Sequence, residues 1–382
     1  MTIKDLEKFR EENLLGEMDG IKPLTRLEKA IIDDNLLKHK TMLRLNDISM
    51  AVAFNLKKDY IHNRFIHSMQ VSKICNIMTE LISDTLGFNI DPRGVFEYVG
   101  LIHDVGHTSL GHKMEQELKR AFKVFGIDYD GNANNYVALD RTKLLDIFTE
   151  ENRSYILASL AKHFNDLYPS QKKEKENVFI NILKDEQLLK ENGYEMYLSQ
   201  TLGCMVMDIA DEIAYLISDL MDAMNILSKE EMKKAIEKYC SIEVQETLIP
   251  ALGASKSEFR AALNSYTLMF ASNFRLENGK LIPSSKKIED IRKAFRKINV
   301  NLVIKSEKME KLQKENEVII RRTISYFTNK EYKLSDIPSS FYKKKLKNAS
   351  SEEERLELIR DMLGGLTDKG LMKIYKKIKK EH

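Results

Sequence analysis

The chain is poor in residues that interrupt helices, and it has no long apolar run. Its 382 residues include only six prolines and sixteen glycines, so long helices are expected. No segment approaches the roughly 18 apolar residues that a membrane-spanning helix needs. The stretch from Lys4 to Glu12 is densely charged and leaves no apolar part for a signal peptide. We therefore expect a soluble cytoplasmic protein with no membrane partner.

Cysteine is also scarce, and neither sign of charge is in excess. Cys75, Cys204 and Cys240 are far apart in apolar helical patterns, which predicts buried thiols in a reducing compartment. The 61 basic and 58 acidic residues give a net charge of +3, so the overall charge gives no reason to expect nucleic-acid or membrane binding. The lysine-rich stretch from Lys305 to Lys347 is interpreted as a solvated helical face. An oligomer contact or a polyanion-binding edge is the alternative.

Apolar residues recur at spacings of three and four over most of the chain, which is typical of amphipathic helices. We predict an all-α fold with one minor β-hairpin, whose turn is Asn278-Gly279. The lysine-rich segment at 172–176 is expected to be an exposed loop. The predicted helices cover about 27–38, 67–87, 94–105, 110–124, 141–164, 199–226, 229–240, 256–275, 286–299, 305–326, 352–363 and 367–379.

Three of the eight histidines, His103, His107 and His112, lie within ten residues of one another beside two carboxylates. The adjacent pair His103-Asp104 offers an imidazole nitrogen and a carboxylate oxygen, which suit a divalent ion used in hydrolysis. On a helix, His103 and His107 would share one face, whereas Gly106 and Gly111 suggest that the chain turns within or just after this segment. A metal site needs further ligands, and His67 lies upstream of this cluster.

A fourth ligand is offered by Asp211, with Asp208 as the competing candidate. Asp211, Tyr215 and Asp219 are spaced by four residues and would form one stripe along a helix. The intervening residues are mostly apolar, so we expect the carboxylates of this stripe to be buried with partners.

The order His67, His103-Asp104, Asp211 resembles the signature of the HD superfamily of all-helical, metal-dependent phosphohydrolases. Further segments resemble the dGTPase family, the deoxynucleoside triphosphate triphosphohydrolases, and the resemblance runs from about residue 40 to 375. These segments are Arg64-Phe65-Ile66-His67-Ser68, His103-Asp104-Val105-Gly106-His107 with Gly111-His112 and Glu115, Gly131-Asn132-Ala133, Ala210-Asp211-Glu212-Ile213-Ala214-Tyr215 and Gly365-Leu366-Thr367-Asp368-Lys369.

The resemblance implies a single large HD-domain helical fold over 1–382. Its catalytic core would cover about 40–230, and a helical region at about 231–382 would complete the site and make oligomer contacts. The implied reaction is hydrolysis of dGTP or several dNTPs to the deoxynucleoside and inorganic tripolyphosphate, by attack of water at the α-phosphorus. We expect one divalent metal ion, first manganese or magnesium, with iron, cobalt or zinc as alternatives.

This chemistry also needs a proton for the departing 5′-oxygen, which is a poor leaving group when unprotonated. His112 is the first candidate for the general acid. Glu115, three residues later, can orient its ring and favour its charged form. His107 is the alternative acid and otherwise a second phosphate contact.

The same resemblance suggests two phosphate contacts. Arg64, three residues before His67, is positioned to contact the α-phosphate with a forked guanidinium, and a surface arginine is the alternative. Lys162 and His163 resemble the family's lysine-tyrosine-proline segment and would reach the β- or γ-phosphate.

Three further residues are implied in substrate binding. Asp219 would accept a hydrogen bond from the deoxyribose, and Tyr215 would pack against the sugar, with a helix-packing tyrosine as the alternative. Asn132 is expected near the phosphates or the leaving group.

Two departures from the family pattern leave the nucleobase and any allosteric site open. The segment from Arg44 to Met50 lacks the family's lysine and glutamine, and Lys369 replaces an arginine. Base specificity depends on such hydrogen-bonding groups. The expected partners are a dNTP substrate and further copies of the chain, with a nucleotide or single-stranded DNA as an allosteric activator. The alternative functions are another HD phosphohydrolase, such as a nucleotidase or phosphodiesterase, and a non-catalytic nucleotide-sensing regulator.

Overall fold

Helices make up most of the computed structural model, which describes residues 22–50, 62–162, 167–168, 170–194, 198–225 and 227–381. Within these residues one two-stranded antiparallel hairpin interrupts the helices. The predicted all-α fold with a minor hairpin is confirmed. The elements are α1 Arg26–Lys38, α2 Lys40–Arg44, α3 Arg64–Leu86, α4 Phe96–Ile102, α5 His112–Lys123, α6 Gly131–Thr142, α7 Glu150–Ser159, α8 Lys172–Glu191, α9 Leu202–Ala223, α10 Lys229–Tyr239, α11 Ile242–Ala254, α12 Lys256–Ala271, β1 Phe274–Glu277, β2 Lys280–Pro283, α13 Lys286–Ile298, α14 Glu307–Thr328, α15 Ser340–Lys347, α16 Glu352–Gly364 and α17 Asp368–Glu381.

The hairpin forms at the predicted turn. Glu277 pairs with Lys280, so Asn278 and Gly279 are the two turn residues, with φ of 48° and 69°. A two-residue turn with positive φ at both positions matches the twist of the flanking strands, and asparagine and glycine tolerate that conformation.

The helix predicted at 141–164 is wrong in its extent. Helix α6 ends at Thr142, where Lys143 adopts a left-handed conformation with φ of 57°, and α7 begins only after Thr149. The Thr149 side chain accepts a hydrogen bond from the Asn152 amide, which satisfies a backbone donor at the new helix start. Two caps thus divide the segment.

The loop predicted at 172–176 is also wrong, because these residues form the first turns of α8. Val178, Ile182 and Leu189 are buried along the same helix. The charged residues at 172–176 precede this apolar face, so the sequence there has no apolar spacing that indicates a helix.

The chain divides into two compact units, each discontinuous in sequence. The first contains 1–37, 66–103 and 145–305 as far as they are described. Its long helix α9 is largely buried and contacts α4, α7 and α12. Leu202 to Met207 and Ile213 to Leu220 are largely buried, as the apolar sequence of this helix predicts.

The second unit contains 38–65, 104–144 and 306–382, again as far as they are described. Helix α5 packs against α14 and α16, and α14 also contacts α17. Fully buried side chains of these helices include Met114, Phe122, Phe327, Ile359 and Leu371. The division by sequence into a core of about 40–230 and a C-terminal region stays a prediction.

None of the helices in the described ranges is long and apolar enough to cross a membrane. Cys75, Cys204 and Cys240 are buried free thiols, as predicted from their apolar surroundings. Burial raises the pKa of Cys240 to about 12, because a thiolate is poorly solvated in the core.

Candidate active site

Two histidines and one aspartate meet in the first unit. Helix α3 carries His67, α9 carries Asp211, and His103 directly follows α4. His67 Nε2 lies 2.9 Å and His103 Nε2 lies 3.5 Å from Asp211 Oδ1. The two imidazole rings meet edge to face, with 5.4 Å between their centroids. Both nitrogens therefore converge on one carboxylate oxygen.

The backbone fixes the tautomer of His103. Its Nδ1 lies 2.7 Å from the carbonyl oxygen of Gly100, and a carbonyl can only accept, so Nδ1 carries the proton. In the neutral ring Nε2 then offers its lone pair toward Asp211. Metal-binding histidines commonly donate their other ring N–H to a carbonyl or carboxylate in this way.

Gly100 also lets α4 approach α3 closely. A Cβ at this position would lie 2.8 Å from Cys75 Sγ and 3.1 Å from the backbone of Ser72. The missing side chain thus allows the packing that places His103 beside His67.

The ligand atoms of His67, His103 and Asp104 all lie within 4.8 Å of one another. These three side chains are buried, with 1%, 3% and 2% of their surface exposed. Two imidazole nitrogens and a carboxylate oxygen suit a divalent cation, and a cation between acceptor atoms compensates the cost of burying them. This cluster can hold a metal ion.

Lys162 pairs with both candidate carboxylates of α9. Its Nζ lies 2.5 Å from Asp211 Oδ2 and 3.2 Å from Asp208 Oδ1. Burial acts to raise the pKa of Asp211, but the Lys162 ammonium holds that pKa well below its usual range. Asp208 is the more exposed carboxylate, at 53% against 21%. The geometry favours Asp211 over Asp208 as the carboxylate beside the two histidines. The other predicted phosphate contact, His163, lies outside the described residues.

Arg64 is buried rather than on the surface. Its Nη1 donates to Asp104 Oδ2 at 2.6 Å, and both side chains are less than 10% exposed. A charge-assisted bond of this length fixes the orientation of the Asp104 carboxylate.

Two histidines of the second unit share one glutamate. His107 Nδ1 lies 2.6 Å from Glu115 Oε1, and His112 Nδ1 lies 3.2 Å from Glu115 Oε2. His107 Nε2 is also 3.2 Å from Asp104 Oδ1. A continuous series of carboxylates and imidazoles therefore runs from Asp104 to His112.

Glu115 changes the acidity of this series. Its hydrogen bond raises the pKa of His112. Burial acts to raise the pKa of Glu115, but His107 and His112 hold it below the usual range. The His112 side chain is 81% exposed while that of His107 is 15% exposed, so only His112 presents its ring openly to solvent.

The chain between the two histidine motifs is not one helix. Helix α4 ends at Ile102, so the chain turns in this segment and His103 and His107 do not share a helical face. Gly111, with φ of 58° and ψ of −144°, precedes α5, which starts at His112. Only glycine adopts that conformation readily. His112 and Glu115 then share the first turn of α5, as their spacing predicts.

Arg44 anchors the backbone of this loop, a role that sequence reasoning missed. Its guanidinium donates to the carbonyls of Val105 at 3.1 Å and His107 at 2.6 Å. It also donates to three carbonyls at the end of α16, those of residues 364, 365 and 366. One cation thus holds five carbonyl oxygens.

Asp368 anchors the same loop through a carboxylate. It accepts from the Leu110 amide at 2.9 Å and from the Ser49 amide and hydroxyl at 2.9 and 2.7 Å. Asp368 lies in a segment that resembles the dGTPase family, and Arg44 begins the segment that departs from the family pattern. Membership in those segments was the available signal, but residue type alone did not reveal the partners.

The Gly131–Ala133 segment opens α6, and its neighbours also hold the loop. The Asn135 side chain accepts from the Gly106 amide at 2.6 Å, and Asn134 donates to the Gly106 carbonyl at 2.5 Å. A Cβ on Gly106 would lie 2.2 Å from the backbone nitrogen of Asn135. Asn132 itself donates its amide to Asp130 at 2.8 Å in the helix cap.

Tyr215 and Asp219 lie on α9 as predicted. Asp219 is 5% exposed. Burial raises the pKa of Tyr215, with Glu212 adding to the rise, and Tyr215 also bonds to Arg296. Glu212 itself forms ion pairs with two arginines of α13, Arg292 and Arg296.

A helical fold with a buried histidine and a buried histidine-aspartate pair that could hold a metal ion is typical of the HD-type phosphohydrolases. Residues 282–377 match the family described as Phosphohydrolase-associated domain. Several relatives are similar over larger parts of the chain. On these findings the chain is similar to the dGTPase-like proteins and carries their associated C-terminal domain.

Three relatives show the extent of this similarity. A Mesorhizobium japonicum protein named deoxyguanosinetriphosphate triphosphohydrolase-like protein 2 is 28% identical over 60% of this chain and 52% of its own length. Deoxyguanosinetriphosphate triphosphohydrolase-like proteins of Rickettsia felis and Leptospira interrogans are 22% and 25% identical. They are matched over 91% and 90% of this chain and over 90% and 88% of their own lengths. The chain thus spans about half of the first relative and about nine tenths of the other two.

Proposed function

We propose that this protein is a metal-dependent dNTP triphosphohydrolase. It would release a deoxynucleoside and inorganic tripolyphosphate from dGTP or several dNTPs. The observation that carries the proposal is the buried ligand cluster of His67, His103 and Asp104, in a chain similar to the dGTPase-like proteins.

Four side chains would hold the metal ion. His67, His103 and Asp104 supply the cluster, and Asp211 supplies a carboxylate that contacts both histidines. When bound, a divalent ion lowers the pKa of a coordinated water and neutralises charge on a phosphate oxygen. Arg64 would orient Asp104 and meet the α-phosphate with the rest of its guanidinium fork.

His112 would donate the proton to the departing 5′-oxygen. Glu115 favours its charged form, and its exposed ring is accessible to a substrate. Both ring nitrogens of His107 lie near carboxylates, one at 2.6 Å and the other at 3.2 Å. His107 therefore fits a role in holding Glu115 better than a role as the acid.

The remaining assignments follow the resemblance. Asp219 and Tyr215 would contact the deoxyribose, Lys162 the β- or γ-phosphate, and Asn132 the phosphates or the leaving group. We propose that the protein acts in the cytoplasm as a homo-oligomer, since most oligomers of soluble enzymes are symmetric assemblies of one chain.

Product analysis tests this function. The purified protein is incubated with each of the four dNTPs and with GTP, in manganese, magnesium or EDTA, and nucleosides, nucleotides and phosphates are separated by chromatography. Deoxynucleoside plus tripolyphosphate in equal amounts is the expected result, and EDTA abolishes it.

The other outcomes identify the alternatives. Monophosphates or orthophosphate would indicate another HD phosphohydrolase reaction. Binding of a nucleotide without turnover in any metal, including iron, cobalt and zinc, would indicate a nucleotide-sensing regulator.

A further inference from the structure

The first turn of α6 lies directly against the Glu115 carboxylate. A Cβ on Gly131 would lie 2.7 Å from Glu115 Oε1, 3.1 Å from its Cδ and 3.4 Å from Oε2. Gly131 is the first residue of α6, and its φ is not positive, so its backbone conformation is open to any residue. The space that Glu115 occupies, and not the backbone, therefore explains a glycine at this position.

At this contact the Glu115 carboxylate lies between His107 and His112. One oxygen faces His107 at 2.6 Å and the other faces His112 at 3.2 Å. The start of α6 borders the same carboxylate, and a helix start favours negative charge. Glu115 thus has partners on both oxygens and a helix end against its side.

A methyl group at residue 131 would displace the carboxylate and leave the backbone in place. The atoms that it would meet belong to the far end of a flexible side chain. Gly106 is different, because a Cβ there would meet the backbone of Asn135 at 2.2 Å. Alanine is moreover a better helix former than glycine, so the fold has no need of glycine at 131.

We propose that Gly131 is a positioning residue, whose missing side chain lets α6 hold the Glu115 carboxylate between His107 and His112. The effect of Gly131 on catalysis rests on the proposed function, in which His112 is the proton donor. The effect of Gly131 on the ionisation of His112 does not depend on that function.

The charged groups around His112 define what should be measured. Glu115 acts through a hydrogen bond, while Arg64 and Asp104 act at longer range with opposite signs. Asp130, which caps α6, accepts hydrogen bonds from the amides of its own helix. Displacing Glu115 would remove the hydrogen-bonded partner that, among the described residues, favours protonated His112.

The test compares Gly131→Ala with the wild type by NMR titration of ring-labelled histidines, the His112 signal being assigned through His112→Gln. The expected result is a His112 pKa that falls toward the ordinary value of about 6.5. The kcat for the best dNTP falls about tenfold or more, KM changes less than about threefold, and the melting temperature does not fall.

Gly253→Ala is the matched control. Gly253 lies within α11, and a Cβ there would meet no atom within 4 Å. This variant is expected to keep the His112 pKa, kcat and KM of the wild type.

A second pair of variants, Glu115→Ala with and without Gly131→Ala, tests the proposal even if Gly131→Ala alone folds poorly. In Glu115→Ala the displaced atoms are absent, so adding Gly131→Ala should lower neither the melting temperature nor the residual kcat. An equal loss in both backgrounds would show that Gly131 acts through packing alone and would overturn the proposal. An unchanged His112 pKa in Gly131→Ala would also overturn the proposal.

A wild type that hydrolyses no dNTP would refute the proposed function, while the titration would still decide the role of Gly131.

Discussion

At the scale of single residues, the site contains two aspartates on α9 that differ in their surroundings. Asp211 faces both histidines, whereas Asp208 is half exposed and pairs with Lys162. A carboxylate oxygen near two imidazole nitrogens is of the type that binds a divalent ion, and an exposed ion pair contributes little.

We expect Asp211→Asn to lower kcat/KM by about 100-fold or more and to weaken manganese binding by about tenfold or more. Calorimetric titration with manganese and steady-state kinetics measure the two effects. Asp208→Asn is the control and should stay within about twofold of the wild type. The reverse ranking would assign the fourth ligand to Asp208.

The raised pKa of His112 predicts how its role depends on pH. If the protonated ring donates the proton, the His112 contribution to kcat is constant below its pKa and is lost as pH rises through it. The contribution to folding has the same sign. It is present in full below the ordinary pKa of about 6.5 and is lost as pH rises through the raised value in the folded protein.

Glu115→Gln should move the fall of kcat to lower pH, because the hydrogen-bonded carboxylate is what raises the His112 pKa. The pH profile of kcat measures this shift. A profile that keeps its position in Glu115→Gln would rule out the His112–Glu115 pair as the proton donor.

At the scale of elements, short polar contacts hold the loop between α4 and α5. Arg44 at the end of α2 donates to five carbonyl oxygens from two segments. Burial, with Arg141 nearby, lowers the Arg44 pKa to about 10, so the group remains charged at neutral pH. Among the described residues that contact this loop, no other side chain donates to as many acceptors.

Arg44→Met should lower the free energy of unfolding by about 3 kcal/mol, since buried carbonyls would lose their donor. It should also lower kcat, because His107 would lose its backbone anchor. Denaturant unfolding and steady-state kinetics check both effects. Lys40→Met, at an exposed position of the same helix, should change neither, and equal effects of the two substitutions would contradict the anchoring role.

How much the sequence could predict follows from the range of the interactions. The hairpin was predictable because Asn278-Gly279 determines its own turn, and α3 and α9 because their apolar spacing is helical. Helix α6 was missed because its buried face includes Asn134 and Asn135, which do not form an apolar stripe. The Arg44 anchor was missed because its partners are backbone carbonyls, which have no sequence signature.

At the scale of the whole molecule, a bound ion should stabilise the fold. Ligands that bind only the folded chain add RT ln(1 + [L]/Kd) to the free energy of unfolding, about 2.7 kcal/mol at a hundred times Kd. We expect manganese to raise the melting temperature of the wild type. Scanning calorimetry with and without the ion measures this, and Asp211→Asn should lose most of the shift. Equal shifts in both proteins would place the bound ion elsewhere.

The anchors of the histidine loop also set an order of events during synthesis. Asp368 bonds to Leu110 over a sequence separation of 258 residues, and Arg44 bonds to Gly365 at the end of α16 over a separation of 321 residues. A ribosome builds a chain from its N-terminus, so the histidines are made long before the residues that secure them. A nascent or clipped chain that stops before α16 would contain every proposed metal ligand and both candidate acids, but its loop between α4 and α5 would lack the Asp368 contact. Full activity of the proposed hydrolase would therefore require synthesis to continue past Asp368.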